Sequence, residues 1–252
     1  MQIQYASDLH IEFPENKAFL KANPLKPVGD ILILAGDIVP FAVLDKHHDF
    51  FNYLSDNFEN TYWIAGNHEY YYSNLADKGC EFHEKIKENV HLLNNCTIET
   101  ENVELLFTTL WSKISPTNQW QIFNSMSDFR LIKNKNDFLS IELYNHQHRE
   151  CLQFLQESLA SSKAEKSVVI THHVPTFMNY PEAYKGDDLN EAFGVELFDF
   201  IEQYQPDFWI YGHTHDNVSD FNIGKTSLIT NQLGYLRNNE HALFNNEKVF
   251  EL

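Results

Sequence analysis

Five short apolar runs along the chain each end abruptly in glycine or polar residues. They begin at Ile3, Ile31, Tyr62, Val168 and Phe208. A run of this length that is apolar on both faces predicts a strand buried inside a parallel sheet. Helix-period patterns over about residues 41–58, 140–159 and 189–204 predict helices that cover the faces of that sheet. This order of elements is typical of an α/β fold.

Weaker patterns fill the rest of the chain. Ser73 can cap a helix over about residues 73–87, and a short strand follows near residues 91–93. Residues 96–100 and 103–109 predict a β-hairpin that turns at Glu101-Asn102, and hence an antiparallel component in the sheets. Periodicity fades over residues 111–138, which we interpret as an irregular insertion. Short strands are expected near residues 218–221, 226–230 and 248–251.

Size and charge narrow the possible partners. With 252 residues, 43% of them hydrophobic, the chain can bury a substantial core, and we interpret residues 1–252 as one domain. The 36 Asp and Glu residues outnumber the 18 Lys and Arg residues and give a formal charge of -18. This charge repels polyanions at long range, so it disfavours long nucleic acid and anionic membranes as partners.

The three cysteines, Cys80, Cys96 and Cys151, are widely spaced and include no Cys-x-x-Cys pair. They indicate neither a disulfide framework nor a thiolate zinc site. Met1 leads directly into the first predicted strand, and no run approaches the roughly 18 to 20 apolar residues of a membrane span. We expect a cytoplasmic protein, and nothing in the sequence indicates an oligomeric state.

Residues that can bind metals follow the predicted strands. They are two aspartates, one asparagine and four histidines: Asp8, His10, Asp37, Asn67, His172, His213 and His215. Ligands in α/β sheets gather outside the carboxyl ends of the strands, so these side chains are expected to converge. Oxygen and imidazole donors suit Mn, Fe, Zn or Co better than copper. Seven donors suit two cations that share a carboxylate, and Asp37 is the natural bridge because its strand lies between the others in the chain.

Asp8 and His10 lie two positions apart at the end of the first predicted strand. Alternate side chains of extended backbone point the same way, so the two can face one cation. A single Asp-x-His pair or Gly-Asp turn is usually structural. Finding five such strand ends in series favours a functional site.

The chain resembles the calcineurin-like metallophosphoesterase superfamily in five blocks, which are Asp8-x-His10, Gly36-Asp37, Gly66-Asn67-His68-Glu69, His172 and Gly212-His213-x-His215. The blocks span residues 8 to 215, and the combination is specific. The resemblance implies two mixed β-sheets packed as a sandwich and flanked by helices, in four αββα layers. It also implies a binuclear centre of transition-metal ions, for which we expect Mn before Fe, Zn or Co.

The same resemblance implies a role for each donor. One cation would be held by Asp8, His10, Asp37 and His215, and the other by Asp37, Asn67, His172 and His213. His68 would stay off the metals and act as general acid. His172 is in register with a His-x-Pro or His-x-x-Pro element of the family, and the adjacent His173 is the alternative ligand.

The charge balance favours phosphoryl chemistry. Two divalent cations bring +4 and two aspartates return -2, which leaves about +2 to hold a phosphoryl dianion. Cations about 3.5 to 4 Å apart can generate a bridging hydroxide for in-line attack on phosphorus. The leaving alkoxide needs a proton, which His68 can supply. We therefore predict a hydrolase of a small phosphomonoester or phosphodiester, with Asn67 and His68 also contacting the substrate.

The chain departs from the Ser/Thr protein phosphatase branch shortly after its Gly-Asp block. That branch has Asp three positions later and then Arg, where this chain has Pro40 and Phe41. A protein phosphatase is therefore disfavoured. Arg130 could supply the missing phosphate contact from the irregular insertion, or it could form a surface salt bridge.

Two other functions stay open. A metal-free interaction scaffold on the same fold would have lost ligands, whereas every position is filled here. A phosphodiesterase of nucleotides or nucleic acid is disfavoured by charge only where the nucleic acid is long. Around the site, Tyr70, Tyr71 and Trp111 either pack or stack on a nucleobase or an aryl leaving group. Asp187-Asp188 either belongs to a solvated loop or gates the substrate.

Overall fold

The computed structural model describes residues 1–100 and 102–252. In chain order its strands are β1 (Gln2–Ala6), β2 (Ile31–Leu34), β3 (Asn60–Ile64), β4 (Phe82–Lys87), β5 (Val90–Asn94), β6 (Cys96–Thr100), β7 (Val103–Phe107), β8 (Lys133–Asn134), β9 (Asp137–Phe138), β10 (Lys166–Ile170), β11 (Phe208–Tyr211), β12 (Phe221–Ile223), β13 (Thr226–Thr230) and β14 (Val249–Glu251). Its α-helices are α1 (Pro14–Ala22), α2 (His48–Asn57), α3 (Gln119–Ser125), α4 (Asp128–Leu131), α5 (Ile141–Ser161), α6 (Asn190–Phe193) and α7 (Phe198–Tyr204).

The strands form two six-stranded sheets with the same plan. The first has the order β14-β1-β2-β3-β5-β4 and the second the order β12-β13-β11-β10-β7-β6. In each sheet the four middle strands are parallel and both edge strands are antiparallel. The carboxyl ends of the parallel strands in each sheet therefore lie along one edge.

The two sheets pack face to face, and helices cover their outer faces. Ile33 of β2 and Ile170 of β10 belong to one apolar cluster that draws on both sheets. Their chain neighbours Leu34 and Val169 point the other way and join the larger cluster that contains Leu155 of α5. Both faces of the middle strands are thus buried, which explains their continuous apolar runs. The prediction of two mixed sheets packed as a sandwich and flanked by helices is confirmed.

Most predicted elements are present with shifted ends. A 3-10 segment over residues 41–47 precedes α2, and α5 covers residues 141–161. The helix predicted over residues 189–204 is two helices, α6 and α7, with Gly194 between them. Strands β6 and β7 pair antiparallel as predicted, from Cys96 opposite Phe107 onward. Their predicted turn includes residue 101, which lies outside the described residues.

The predicted helix over residues 73–87 is wrong. The chain there forms a 3-10 turn at Leu75–Asp77 and then strand β4. Gly79 interrupts the segment with a φ of +72°, which is a conformation that ends helices. Strand β4 then pairs antiparallel with β5. Pairing at the edge of the sheet therefore outweighs the helical propensity of the Glu and Lys residues in this stretch.

Residues 111–138, which we expected to be irregular, contain helices α3 and α4 and the β8–β9 hairpin. Ile122 of α3 and Phe129 of α4 are buried in the large apolar cluster. These two side chains anchor the segment against the body of the protein. Asp128, next to Phe129, is buried as well.

None of the helices in the described part of the chain has the length and apolar character that crossing a membrane requires.

Candidate metal centre

The seven candidate ligands lie together where β1, β2, β3, β10 and β11 end. Five of them have positive φ angles: Asp8 (55°), His10 (45°), Asp37 (56°), His213 (79°) and His215 (56°). This left-handed backbone is uncommon outside glycine and clusters at functional sites. The expectation that extended backbone brings Asp8 and His10 together is therefore wrong. Left-handed residues at the strand ends turn both side chains towards the same space.

The first donor group consists of Asp8, His10, Asp37 and His215, whose ligand atoms all lie within 4.8 Å of one another. His10 Nε2 lies 3.0 Å from His215 Nε2. Asp8 Oδ1 lies 3.4 Å from His215 Nε2, and Asp37 Oδ2 lies 3.8 Å from His10 Nε2. Two imidazole nitrogens and two carboxylates thus face one small space.

The second donor group contains Asp37, His172 and His213. His172 Nε2 lies 3.3 Å from Asp37 Oδ1 and 3.1 Å from His213 Nδ1. Asn67 lines the same cavity as Asp37 and His213, and its Oδ1 is buried without a hydrogen-bond partner among the described residues. Asp37 is the residue that the two groups share.

His172 and His173 point in different directions. His172 Nδ1 lies 2.9 Å from the Ala35 carbonyl oxygen, to which it can donate, and Nε2 faces Asp37. His173 instead turns towards the core, with Nε2 3.3 Å from the hydroxyl of Tyr144. The geometry therefore favours His172 as the ligand.

The charges of the buried residues in the two donor groups suit a bound cation. Burial opposes the charged form of Asp37, yet His172 outweighs it and holds the pKa of Asp37 well below its usual range. Burial likewise opposes protonation of His172, but Asp37 raises the pKa of His172 to about 9. Asp8 is also fully buried, and burial opposes its charge, but a hydrogen bond from His215 lowers its pKa. Buried carboxylates of this kind are stable only when they are paired or coordinate metals.

The donor set fits two divalent cations. It has oxygen and imidazole donors in two groups that share a carboxylate, and the unpartnered Oδ1 of Asn67 supplies a further acceptor. Two glycines keep the space open: a Cβ at Gly36 would collide with the His172 ring, and a Cβ at Gly66 would collide with Asp37. The strand ends therefore bring donors together where larger residues would exclude them.

Each of three donor imidazoles has a partner on its other nitrogen. His10 Nδ1 lies 3.2 Å from Glu12 Oε1, and His215 Nδ1 lies 2.7 Å from Glu240 Oε2, while His172 bonds to a backbone carbonyl as described above. Such partners fix the tautomer of a metal-binding histidine and orient its ring. Glu12 lies two positions after His10 in the sequence, whereas nothing in the sequence indicates Glu240.

Glu69 joins the loops that follow β2 and β3. Its buried carboxylate accepts hydrogen bonds from the backbone N–H of Asp37 (2.9 Å), Ile38 (2.6 Å) and Gly66 (2.7 Å). The Nε1 of Trp63 donates to it as well, at 3.2 Å. We assigned no role to Glu69 from the sequence, and the structure makes it the residue that holds two ligand-bearing loops in place.

His68 lies at the wall of the site and belongs to neither of the two donor groups described above. Its ring stacks on Tyr71, with centroids 4.1 Å apart and planes at 29°. Its Nε2 lies 3.4 Å from the hydroxyl of Tyr235. Burial opposes its protonation, but Asp37 and Glu12 outweigh burial and raise the pKa of His68. A histidine in these surroundings can hold a proton beside the donor groups.

Asp128 is a site residue that sequence reasoning missed. Its Oδ1 accepts hydrogen bonds from Asn67 Nδ2 at 2.9 Å and from the Tyr71 hydroxyl at 2.7 Å. With Nδ2 held in this way, Oδ1 of Asn67 is the amide atom left to bind a cation. Asp128 therefore orients a candidate ligand on one side and the stacking partner of His68 on the other.

Replacing Asp128 by alanine should weaken binding of one of two Mn²⁺ ions by about 10- to 100-fold, the usual cost of losing a partner of a metal ligand. The cause would be rotation of the Asn67 amide. Calorimetric titration of metal-free protein with Mn²⁺ measures the two affinities. Asp137→Ala, at an exposed position of β9, is the matched control and should bind as the unmodified protein does. Equal affinities in Asp128→Ala would contradict the role given to Asp128.

The structure does not bring Arg130 to the site. Its guanidinium is exposed and donates to the carbonyl oxygens of Asn124 (2.7 Å) and Ser125 (3.0 Å) at the end of α3. Arg130 is also absent from the described residues that line the cavity. Its contacts are those of a helix C-terminal cation and give no support to phosphate binding.

A cavity of about 390 Å³ opens over the donor groups. Its described lining contains no Lys or Arg, and Asp187 lies at its wall. Much of the remaining wall is aromatic and consists of Tyr71, Tyr180, Tyr184, Phe193 and Tyr235. The cavity thus combines a floor of metal-binding residues with a largely aromatic wall that also carries the carboxylates of Asp187 and Glu240. Of the aromatic residues singled out in the sequence, Tyr71 lines this cavity, whereas Tyr70 and Trp111 are buried.

Two comparisons with known proteins show what the chain is similar to. An uncharacterised protein of Acanthamoeba polyphaga mimivirus is 33% identical, in a match that covers 92% of this chain and 91% of the viral protein. Among solved structures, the phosphopantetheinyl hydrolase of Mycobacterium tuberculosis superimposes with a TM-score of 0.68 at 16% identity. That match covers 94% of this chain and 90% of the mycobacterial chain, and it shows a shared fold.

A family comparison extends over most of the chain. The family model for calcineurin-like phosphoesterases matches residues 1–217. This range contains the ends of all five strands that bear the candidate ligands. The chain belongs to the calcineurin-like phosphoesterase family.

Proposed function

We propose that this protein is a metal-dependent phosphoesterase that hydrolyses a small phosphomonoester or phosphodiester. One observation carries the proposal: Asp37 belongs to both donor groups on the floor of the cavity, and His68 lies beside them. A carboxylate shared between two sets of buried donors is the arrangement that a pair of cations requires. Membership of the family supports the same reaction class.

The ligands are assigned from the two groups. Asp8, His10, Asp37 and His215 would hold one cation, and Asp37, Asn67, His172 and His213 would hold the other. We propose Mn²⁺ for both sites, with Fe, Zn or Co as alternatives that have the same donor preference. When bound, such a pair supplies a nucleophilic hydroxide near neutral pH and positive charge for the phosphoryl oxygens.

His68 would donate a proton to the leaving group. Its Nε2 lies beside the Tyr235 hydroxyl, and both residues line the cavity. Tyr71 stacks on the His68 ring and restricts its rotation. A positioned general acid of this kind contributes about 10² to 10⁴-fold to the rate.

The cavity wall indicates the class of leaving group. A polyphosphate or long nucleic acid would need lysine or arginine side chains for its further phosphates, and the described lining has neither. The aromatic side chains at Tyr180, Tyr184 and Phe193 can instead pack against an apolar or aromatic group. We therefore propose a substrate with one phosphoryl group and an uncharged or cationic leaving group.

A substrate panel tests this function. Aryl and alkyl phosphomonoesters, phosphodiesters and nucleotides are offered with Mn²⁺, Zn²⁺ or Mg²⁺. We expect hydrolysis of monophosphorylated compounds that is lost in chelator and returns with Mn²⁺. Failure of metal-loaded protein to hydrolyse any member of the panel would overturn the proposal and favour an interaction scaffold.

Two broader proposals accompany the function. We propose that residues 1–252 form one domain, since β14 near the end of the chain pairs with β1 near its start. We also propose a cytoplasmic location, which agrees with the three unpaired cysteines, Cys80, Cys96 and Cys151.

A further inference from the structure

Glu12 lies between a candidate ligand and the candidate proton donor. Its Oε1 is 3.2 Å from His10 Nδ1 and 3.7 Å from His68 Nδ1. The two imidazole rings lie edge to face, with centroids 4.6 Å apart. A single carboxylate oxygen therefore faces the Nδ1 atoms of both rings.

The surroundings of Glu12 suit a charged acceptor. Its side chain is 14% exposed. Among the ion pairs of the described residues, Glu12 faces only the imidazoles of His10 and His68. Its other oxygen, Oε2, is buried without a hydrogen-bond partner in the same part of the chain. Because a carboxylate accepts but does not donate, it places a proton on each Nδ1 that it faces.

The contacts of His68 leave one particular ring nitrogen facing the cavity. With Nδ1 towards Glu12 and the ring stacked on Tyr71, Nε2 is left towards the Tyr235 hydroxyl and the cavity. The proton that reaches a leaving group must come from this nitrogen. A ring turned over about its Cβ–Cγ bond would put the carbon Cε1 where Nε2 now lies, and the donor would be misplaced.

We propose that Glu12 is a positioning residue that aims His68 Nε2 at the leaving group while it orients the candidate ligand His10. The inference rests on the proposed function, because it assigns Glu12 its role through the proton donor. In this proposal the Glu12 carboxylate orients both a candidate metal ligand, His10, and the candidate proton donor, His68. Glu12 need not contact the substrate, and it is absent from the described lining of the cavity.

The first test compares leaving groups. An alkoxide needs the proton from His68 far more than p-nitrophenolate does. In Glu12→Gln, kcat for an alkyl phosphate should fall about 10- to 100-fold, and kcat for p-nitrophenyl phosphate should fall less than about 3-fold. The amide oxygen of Gln can still accept from His10, so the protein should keep its bound metal. Glu84→Gln, at the surface ion pair with Lys78, is the matched control and should keep both rates.

A double variant shows whether Glu12 acts through His68. In His68→Ala, the further change Glu12→Gln should cost almost nothing, because residues that act as a unit have non-additive effects. Losses that multiply, or a loss that is equal for both leaving groups, would overturn the inference. If the metal-loaded unmodified protein hydrolyses neither these two substrates nor any other member of the substrate panel, the proposed function fails, and that result is distinct from a failure of the inference alone.

A spectroscopic test needs no turnover. In metal-free protein, proton and nitrogen NMR of the histidine rings should show a His68 Nδ1–H proton shifted downfield by its contact with Glu12. The signal is assigned by its absence in His68→Ala and should move upfield or vanish in Glu12→Gln. An unchanged signal in Glu12→Gln would also overturn the inference.

Discussion

Asp37→Ala should abolish hydrolysis and metal binding together. Asp37 is the residue common to both donor groups, with one oxygen 3.8 Å from His10 Nε2 and the other 3.3 Å from His172 Nε2. Without it, neither group keeps its shared ligand. We expect kcat/KM to fall by about 10³-fold or more, which corresponds to about 4 kcal/mol of lost transition-state stabilisation. Elemental analysis should find fewer than one equivalent of metal in place of two.

Two further variants make this result interpretable. Asp37→Asn keeps an oxygen that can accept from the His68 backbone N–H, which now donates to Asp37 Oδ1 at 3.0 Å. It should stay folded yet lose activity, because the negative charge is gone. Asp45→Ala, at an exposed position, should behave as the unmodified protein does. Full turnover by Asp37→Ala would remove the basis for a shared metal ligand.

His68→Ala should lower the rate of hydrolysis while the protein keeps its bound metal. The His68 ring belongs to neither of the two donor groups that share Asp37, so the protein should keep two equivalents of metal. We expect kcat to fall by about 10² to 10⁴-fold, the usual contribution of a general acid. The loss should be greatest for substrates whose leaving group is a poor one. Steady-state kinetics and elemental analysis of the same preparation measure both quantities.

The matched control is His146→Ala on α5, where the imidazole is half exposed and pairs with Glu150. It should change neither kcat nor metal content. If His68→Ala loses its metal along with its activity, His68 is a ligand and the assignment of a proton donor is wrong. If it retains the full rate with alkyl phosphates, another group donates the proton.

The strand ends were predictable because two simple physical signals coincide there. A strand that is buried on both faces must be apolar throughout, so its end is visible in the sequence. Parallel strands then place their carboxyl ends along one edge. Asp37 and Asn67 follow neighbouring strands of one sheet and could be expected to meet on these grounds alone. His172 follows a strand of the other sheet, so its approach to Asp37 depends on how the two sheets pack. The left-handed backbone at Asp37 was not predictable either.

Other features depend on contacts between distant parts of the chain. Strand β4 forms because β5 is available to pair with it, and no local pattern reports that. Asp128 reaches Asn67 because Phe129 beside it is buried in the core. In the same segment Arg130 points outward to the end of α3. Charge and sequence position alone could not tell which of these two neighbours belongs to the site.

Diffraction from crystals grown with Mn²⁺, recorded at the manganese absorption edge, is the most direct test of the binuclear site. We expect two anomalous peaks about 3.5 to 4 Å apart, with Asp37 between them. Asp8, His10 and His215 should surround one peak, and Asn67, His172 and His213 the other. A single peak, or peaks that lie away from Asp37, would contradict a shared binuclear centre at these strand ends.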